Sequence, residues 1–134
     1  MRYFTYKEFD CPMGGDGSGR KNMNREFLKF LDELRSRCSF KFIVSSGYRT
    51  QDYQDDLKRR GYKTSKSRSA HQDGMAADIK ISDSKKRALF IGYALELTQE
   101  MDLPFRLGIA GKEKGNFCHI DIDKKRSNPR VWCY

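Results

Sequence analysis

A chain of 134 residues, with 37% hydrophobic and 34% charged residues, is long enough for one modest core under a heavily solvated surface. Its 13% aromatic content excludes a disordered chain, and no stretch approaches the roughly 18 to 20 apolar residues that cross a bilayer. The net charge of +9, from 27 Lys and Arg against 18 Asp and Glu, favours an anionic partner.

Residues 1–10 alternate aromatic and charged side chains, which predicts a short segment packed across the core. They lack the apolar stretch of a secretory signal. Residues 11–22, CPMGGDGSGRKN, predict a flexible glycine-rich connector; the Lys and Ser/Thr of a GxxxxGK[ST] phosphate loop are not in place after Gly19. Asn24 is a helix N-cap, and Phe27, Leu28, Phe30, Leu31 and Leu34 follow at helical spacing, giving a core-facing helix to about Cys38. Phe40, Phe42, Ile43 and Val44 predict a strand ending at Ser45-Ser46-Gly47, and Thr50 caps a polar helix to about Arg60. Residues 61–70, GYKTSKSRSA, form a basic loop leading to His71.

Ala76 to Ile81 reads as a buried strand. Ser82 or Asp83 then caps a long helix with an apolar face at Leu89, Phe90, Tyr93, Leu95 and Leu97. Phe105 to Ala110 and Phe117 to Asp123 predict two strands joined by the turn Gly111-Lys112-Glu113-Lys114-Gly115. Helices and strands mix without strict βαβ alternation, so the class is α+β, in a single domain over residues 1–134.

The basic residues fall in short clusters, such as Lys58-Arg59-Arg60 and Lys124-Lys125-Arg126, the pattern of a solvated face. No helix-turn-helix, zinc-knuckle or RNP-like pattern accompanies them, which argues against specific nucleic-acid recognition. Cys11, Cys38, Cys118 and Cys133 form no CxxC pair, so a cysteine-rich structural zinc site is excluded. Reduced thiols are the expectation.

Only two histidines occur, and both stand beside carboxylates: Ser69-Ala70-His71-Gln72-Asp73-Gly74-Met75-Ala76-Ala77-Asp78 and Cys118-His119-Ile120-Asp121. A hydrolytic zinc site needs three protein ligands and an open position for water, and two imidazoles with one carboxylate suit it. Such a metal lowers the pKa of its water and polarises a scissile carbonyl. Gly74 would let backbone approach the metal closely. His119 and Asp121, two apart on a strand, share a face, which turns Cys118 and Ile120 into the core.

The segment SAHQDGMAAD resembles the SxHxxGxAxD signature of the zinc D-Ala-D-Ala carboxypeptidase family. That family also holds D-Ala-D-Ala dipeptidases and phage endolysins that cut L-Ala-D-Glu bonds. SSGYRT at Ser45 to Thr50 is similar to its SGYR segment, and FCHID followed by NPRVWCY resembles the FVHVD…RxW ending of its small phage-type members. The resemblance implies the Hedgehog/DD-peptidase fold, a small antiparallel sheet flanked by helices with a zinc cleft. It implies Zn2+ on His71, Asp78 and His119, Arg49 facing the substrate carbonyl, and Ser69 helping to hold substrate.

Many members carry a catalytic acid three residues before the second histidine, where this chain has Asn116. Asp121 is the best substitute as general base, with orientation of the His119 imidazole as its other role; Glu113 is a weaker choice. The expectation is a monomeric peptidoglycan peptidase. It would be made in the host cytoplasm and act on the cell wall as a phage or prophage lysis protein, with stem peptides and anionic wall polymers as partners. The alternative is a non-catalytic, zinc-containing wall-binding module.

Overall fold

The chain enters the structure through a 3-10 turn, Tyr6–Phe9, followed by a short helix, α1 (Ser18–Asn22). This computed structural model describes residues 1–65 and 67–134; Lys66, in the basic loop, lies outside them. The expected flexible connector over 11–22 is therefore corrected. The Asp10 carboxylate accepts hydrogen bonds from the amides of Gly17 and Gly19 at 3.1 and 2.7 Å, and Ser18 Oγ accepts from the Cys11 amide at 2.9 Å. Those bonds satisfy backbone donors that a loose loop leaves to water, and they fold the segment onto the first turn.

Three side chains marked as caps in the sequence do cap helices. Asn24 Oδ1 accepts from the Phe27 amide at 3.0 Å and opens α2 (Arg25–Arg37). Strand β1 (Ile43–Ser46) follows, and then Thr50 Oγ1, accepting from Tyr53 at 3.1 Å, opens α3 (Gln51–Arg59). After strand β2 (Ala76–Lys80), Asp83 Oδ1 accepts from Lys86 at 2.9 Å and opens α4 (Ser84–Glu100). A side-chain oxygen at this position satisfies an amide that has no partner inside its helix. On α4 the expected apolar face is partly corrected: Phe90, Ala94 and Leu97 are buried, whereas Leu89 and Leu95 face solvent.

Strands β3 (Arg106–Ala110), β4 (Phe117–Asp121) and β5 (Arg130–Cys133) complete a five-stranded sheet in the order β1-β2-β4-β3-β5. The first four are antiparallel neighbours, but β5 lies parallel to β3. The sheet is thus mixed, a correction to the antiparallel sheet expected from the family resemblance. Residues 122–129 carry the chain from β4 past β3 to the far edge, and because β4 runs antiparallel to β3, the returning β5 lies parallel to it.

Period-2 alternation gives the sheet two unlike faces. Ala77, Ile79, Leu107, Cys118 and Ile120, all fully buried, join the core cluster containing Phe27, Phe30, Leu31 and Leu34 of α2 and Phe90 and Leu97 of α4. The other face carries one transverse row in register: Ser46 opposite Asp78, Asp78 opposite His119, His119 opposite Gly108, and Gly108 opposite Trp132. The apolar face fixes the register, because a one-residue slip would turn Ile79 and Ile120 outward. The packed core therefore aims the row.

Candidate active site

His71 sits on a 3-10 turn, Ala70–Asp73, that is locked at both ends. Ser69 Oγ accepts from the His71 amide at 3.2 Å, and the Gln72 side chain accepts from the Ser69 amide at 2.9 Å. At the other end Gly74 has φ 69°, and a Cβ there would lie 2.1 Å from the Asn22 carbonyl oxygen. Glycine is needed for packing against α1, not for approach to a metal, which corrects the sequence expectation. With its backbone fixed, His71 donates from Nδ1 to the Gly47 carbonyl at 2.7 Å. A carbonyl only accepts, so Nδ1 carries the proton and Nε2 holds a lone pair.

That Nε2 atom is buried without a hydrogen-bond partner, the only such side-chain atom among the described residues. It stands 3.3 Å from Asp78 Oδ1, an acceptor facing an acceptor. Such an arrangement is unfavourable unless a cation lies between the two. His119 approaches the same oxygen, with Nδ1 3.0 Å from Asp78 Oδ1. The donor atoms of His71, Asp78 and His119 all lie within 4.8 Å of one another, and all three residues are buried. Two imidazole nitrogens and a carboxylate oxygen form a donor set that fits zinc.

Asp121 stands behind His119. Its Oδ2 accepts from His119 Nε2 at 2.8 Å, while its Oδ1 accepts from Arg106 Nε at 3.0 Å and from the Asp123 amide at 3.0 Å. The carboxylate is buried and on the far side of the imidazole from Asp78. That arrangement holds the ring so that Nδ1 points at the cluster, as partners of metal-binding histidines do.

The charges follow from these contacts. Burial pushes the His71 imidazole below its ordinary value, helped by the positive charge of Arg49. Burial also works against a charged His119, but hydrogen bonds to Asp121 and Asp78 outweigh it and lift that imidazole to about 9. Asp78, despite a burial that favours the neutral acid, is held well below the usual carboxylate range by His71, His119 and Arg49. Asp121 is lowered as well: burial opposes ionisation, but His119, the Asp123 amide and Arg106 prevail.

Arg49 follows β1 and bonds Asp78 Oδ2 from Nη2 at 2.6 Å, Ser46 Oγ from Nε at 2.9 Å and Gln54 Oε1 from Nη1 at 3.1 Å. A guanidinium has five donors, so two N–H groups remain for a substrate. The cluster opens into a cleft of about 570 Å³ bordered by α3, the basic loop and β5. Ser69 lines that cleft as well as capping its turn. Among the described residues, seven lysine and arginine side chains line it against two carboxylates, Asp78 and Asp121, a surface suited to an anionic ligand.

Asn116 does not reach the cleft. It adopts φ 53° at the entry to β4, and its side-chain oxygen accepts from Arg87 Nη2 at 3.2 Å. Glu113 lies exposed on the 3-10 turn Lys112–Lys114, also outside the cleft lining. Two residues to which the sequence assigned no role border the cluster, Arg106 through Asp121 and Trp132, within the RxW-like ending, through its ring 5.5 Å from that of His119. For Arg106 a signal existed: alternation with Leu107 and Ile109 sets it on the same face as Gly108. Cys38 and Cys118 are buried free thiols, both pushed upward by burial, Cys38 to about 11.

Comparison with known proteins agrees with the resemblance read from the motifs. The family model described as Peptidase M15 matches residues 2–121. Among solved structures, the chain is similar to the Serratia marcescens L-Ala D-Glu endopeptidase ChiX, with a TM-score of 0.63 and 18% sequence identity. The match covers 78% of this chain and 84% of that one. At this identity the likeness shows a shared fold. No curated protein matches the chain in sequence. On the family match over most of its length, the chain belongs to the peptidase M15 family and is a metallopeptidase.

Proposed function

We propose that residues 1–134 work as a single zinc peptidase domain that hydrolyses peptide bonds in the stem peptides of bacterial peptidoglycan. The bond is D-Ala-D-Ala or L-Ala-D-Glu, and the setting is a small endolysin of phage type. The observation that carries this reading is the unpartnered lone pair of His71 Nε2, which faces Asp78 Oδ1 beside His119 Nδ1. Membership of the family, together with the likeness to an L-Ala D-Glu endopeptidase, supports the substrate class.

His71, Asp78 and His119 would hold the metal. Zinc, when bound, supplies the Lewis acidity that activates water and polarises an amide carbonyl. The chain's own groups do the rest. The two spare N–H groups of Arg49 meet the negative charge that develops on the carbonyl oxygen, a contribution of about 3 kcal/mol per donor in comparable sites. Ser69 contributes to the cleft wall that holds the peptide. The cationic lining attracts stem-peptide carboxylates and, at its rim, anionic wall polymers.

Asp121 we assign to orientation rather than proton transfer, because both its oxygens are already accepting hydrogen bonds. Water in the open cleft then carries the proton to the leaving amine. Digestion of purified peptidoglycan, with mass analysis of the fragments, tests the proposal and names the bond. New fragments that disappear with a chelator and return with zinc are expected. Chelator-insensitive cleavage, or intact wall with zinc fully bound, would sink it.

A further inference from the structure

We propose that Trp132, on the C-terminal strand β5, is a positioning residue for the metal-facing side of His119, admitted to its place by the bare Cα of Gly108. The inference rests on the metal site proposed above and gives a role to the tryptophan of the RxW-like ending, beyond residues 2–121, the stretch that matches the family model.

Gly108 lies between His119 and Trp132 in the transverse row of the sheet. A Cβ at position 108 would come 2.6 Å from Trp132 Nε1, 2.7 Å from its Cε2 and 2.8 Å from Tyr134 Cε2, closer than such atoms approach, so any side chain there must expel the indole and shift the Tyr134 ring. The missing side chain is what lets the indole lie over the row. Its ring centroid is 5.5 Å from that of His119 at an interplanar angle of 46°, while the His71 ring lies 5.1 Å from the same imidazole. His119 is thus flanked by two rings.

A second route links the same groups. The Arg106 guanidinium sits 5.2 Å from the centre of the Trp132 ring, its Nε bonds Asp121 Oδ1 at 3.0 Å, and Asp121 Oδ2 bonds His119 Nε2 at 2.8 Å. Trp132 therefore limits the tilt of the imidazole directly and steadies the arginine that fixes the carboxylate behind it. The rest of β5 points to the same purpose: Arg130, Val131 and Cys133 are exposed, and Trp132 alone on the strand is half-buried. The strand buries little apart from this indole, while its amide hydrogen bonds, Arg130 to the Phe105 carbonyl at 2.9 Å among them, hold it in register.

Trp132 is the single tryptophan of the chain, so its emission reports on this position alone. In the unsubstituted protein, freed of metal, Co2+ should quench that emission in step with the visible absorption of the bound ion, saturating at one equivalent. Zinc affinity, measured by competition with a chromophoric chelator, should then fall roughly 10- to 100-fold in Trp132→Ala and in Gly108→Ala, the range seen when support behind a ligand is lost. Trp132→Phe, which keeps a ring, should restore most of the affinity. The double variant Gly108→Ala/Trp132→Ala should bind no more weakly than Trp132→Ala, because the methyl group then has no indole to displace and meets only Tyr134 Cε2 at 2.8 Å, the outer edge of an exposed ring that can turn aside.

Circular dichroism of the metal-free proteins shows which variants fold. Folded variants that bind zinc as the parent does, additive losses in the double variant, or unquenched emission with Co2+ bound would each overturn the inference while leaving the metal site standing. A parent protein that takes up no zinc would overturn both.

Discussion

The two histidines of the site are close neighbours with opposite surroundings. His71 gives its Nδ1 proton to a neutral backbone carbonyl, that of Gly47, while His119 gives its Nε2 proton to a buried carboxylate, that of Asp121. One imidazole is pushed down by burial and the other is lifted to about 9. A metal held here would draw on unequal parts, one imidazole from a 3-10 turn and one from a sheet row. His71 offers a ready lone pair, and His119 offers a basic nitrogen that holds a proton until a metal replaces it.

The largest expected effect ignores the difference. His71→Ala and His119→Ala each remove one of the three proposed ligands, so hydrolysis should fall at least ~10³-fold, several kcal/mol of metal assistance being lost. Fragment release from peptidoglycan checks this, and chelation of the unsubstituted protein should match it, with recovery on adding zinc. Activity that survives either substitution would break the ligand assignment.

Arg49 comes next. Arg49→Met should lower kcat by at least about 10²-fold for each of the two N–H groups it removes, with zinc still bound, since its loss removes charge stabilisation and leaves the three proposed ligands in place. Metal content measured beside kcat separates the two effects. Smaller again is Asp121→Asn, which sharpens the contrast between the imidazoles. Zinc affinity should drop about 10- to 100-fold, yet kcat at saturating zinc should stay near that of the parent. A kcat that remains low under saturation would return Asp121 to the role of general base.

The gentlest test reads the imidazoles through the stability of the metal-free protein. The folded value for His119 lies at about 9, above its ordinary value of 6.5, so its contribution is complete below about pH 6.5 and is lost as pH rises through 9. The folded value for His71 is depressed below 6.5, so the unfolded chain takes up that proton first and stability declines as pH falls below that point. The melting temperature should therefore rise from pH 9 down to about 6.5 and then fall. His119→Gln should flatten the alkaline limb alone. A profile with no alkaline limb in the parent would contradict the charge assigned to His119.

Much of this was legible from local pattern. The caps at Asn24, Thr50 and Asp83 need only nearby residues, and the alternation of Cys118, His119, Ile120 and Asp121 settles which side chains face the core. The gathering of His71, Asp78 and His119 was legible because two family motifs named them, SAHQDGMAAD for His71 and Asp78 and FCHID for His119. What stayed hidden depends on distant pairing. Strand β5 is short, mostly exposed and parallel to β3, so neither hydrophobic periodicity nor a tight turn announces it. The orientation role proposed for Asp121 turns on Arg106, a neighbour supplied by another strand, and so could not be chosen from the HxD spacing. The helix at Ser18–Asn22 escaped notice because Asp10 and Ser18, not helical propensity, fold that glycine-rich segment.

The most direct test is an anomalous-scattering map from a crystal of the zinc-loaded protein. The expected result is one zinc ion touching Nε2 of His71, Nδ1 of His119 and the Asp78 carboxylate, with Asp121 still bonded to Nε2 of His119 and one side of the ion open to the cleft. Zinc held through Nε2 of His119, a fourth protein atom closing the open side, or no ion at these three residues would contradict it.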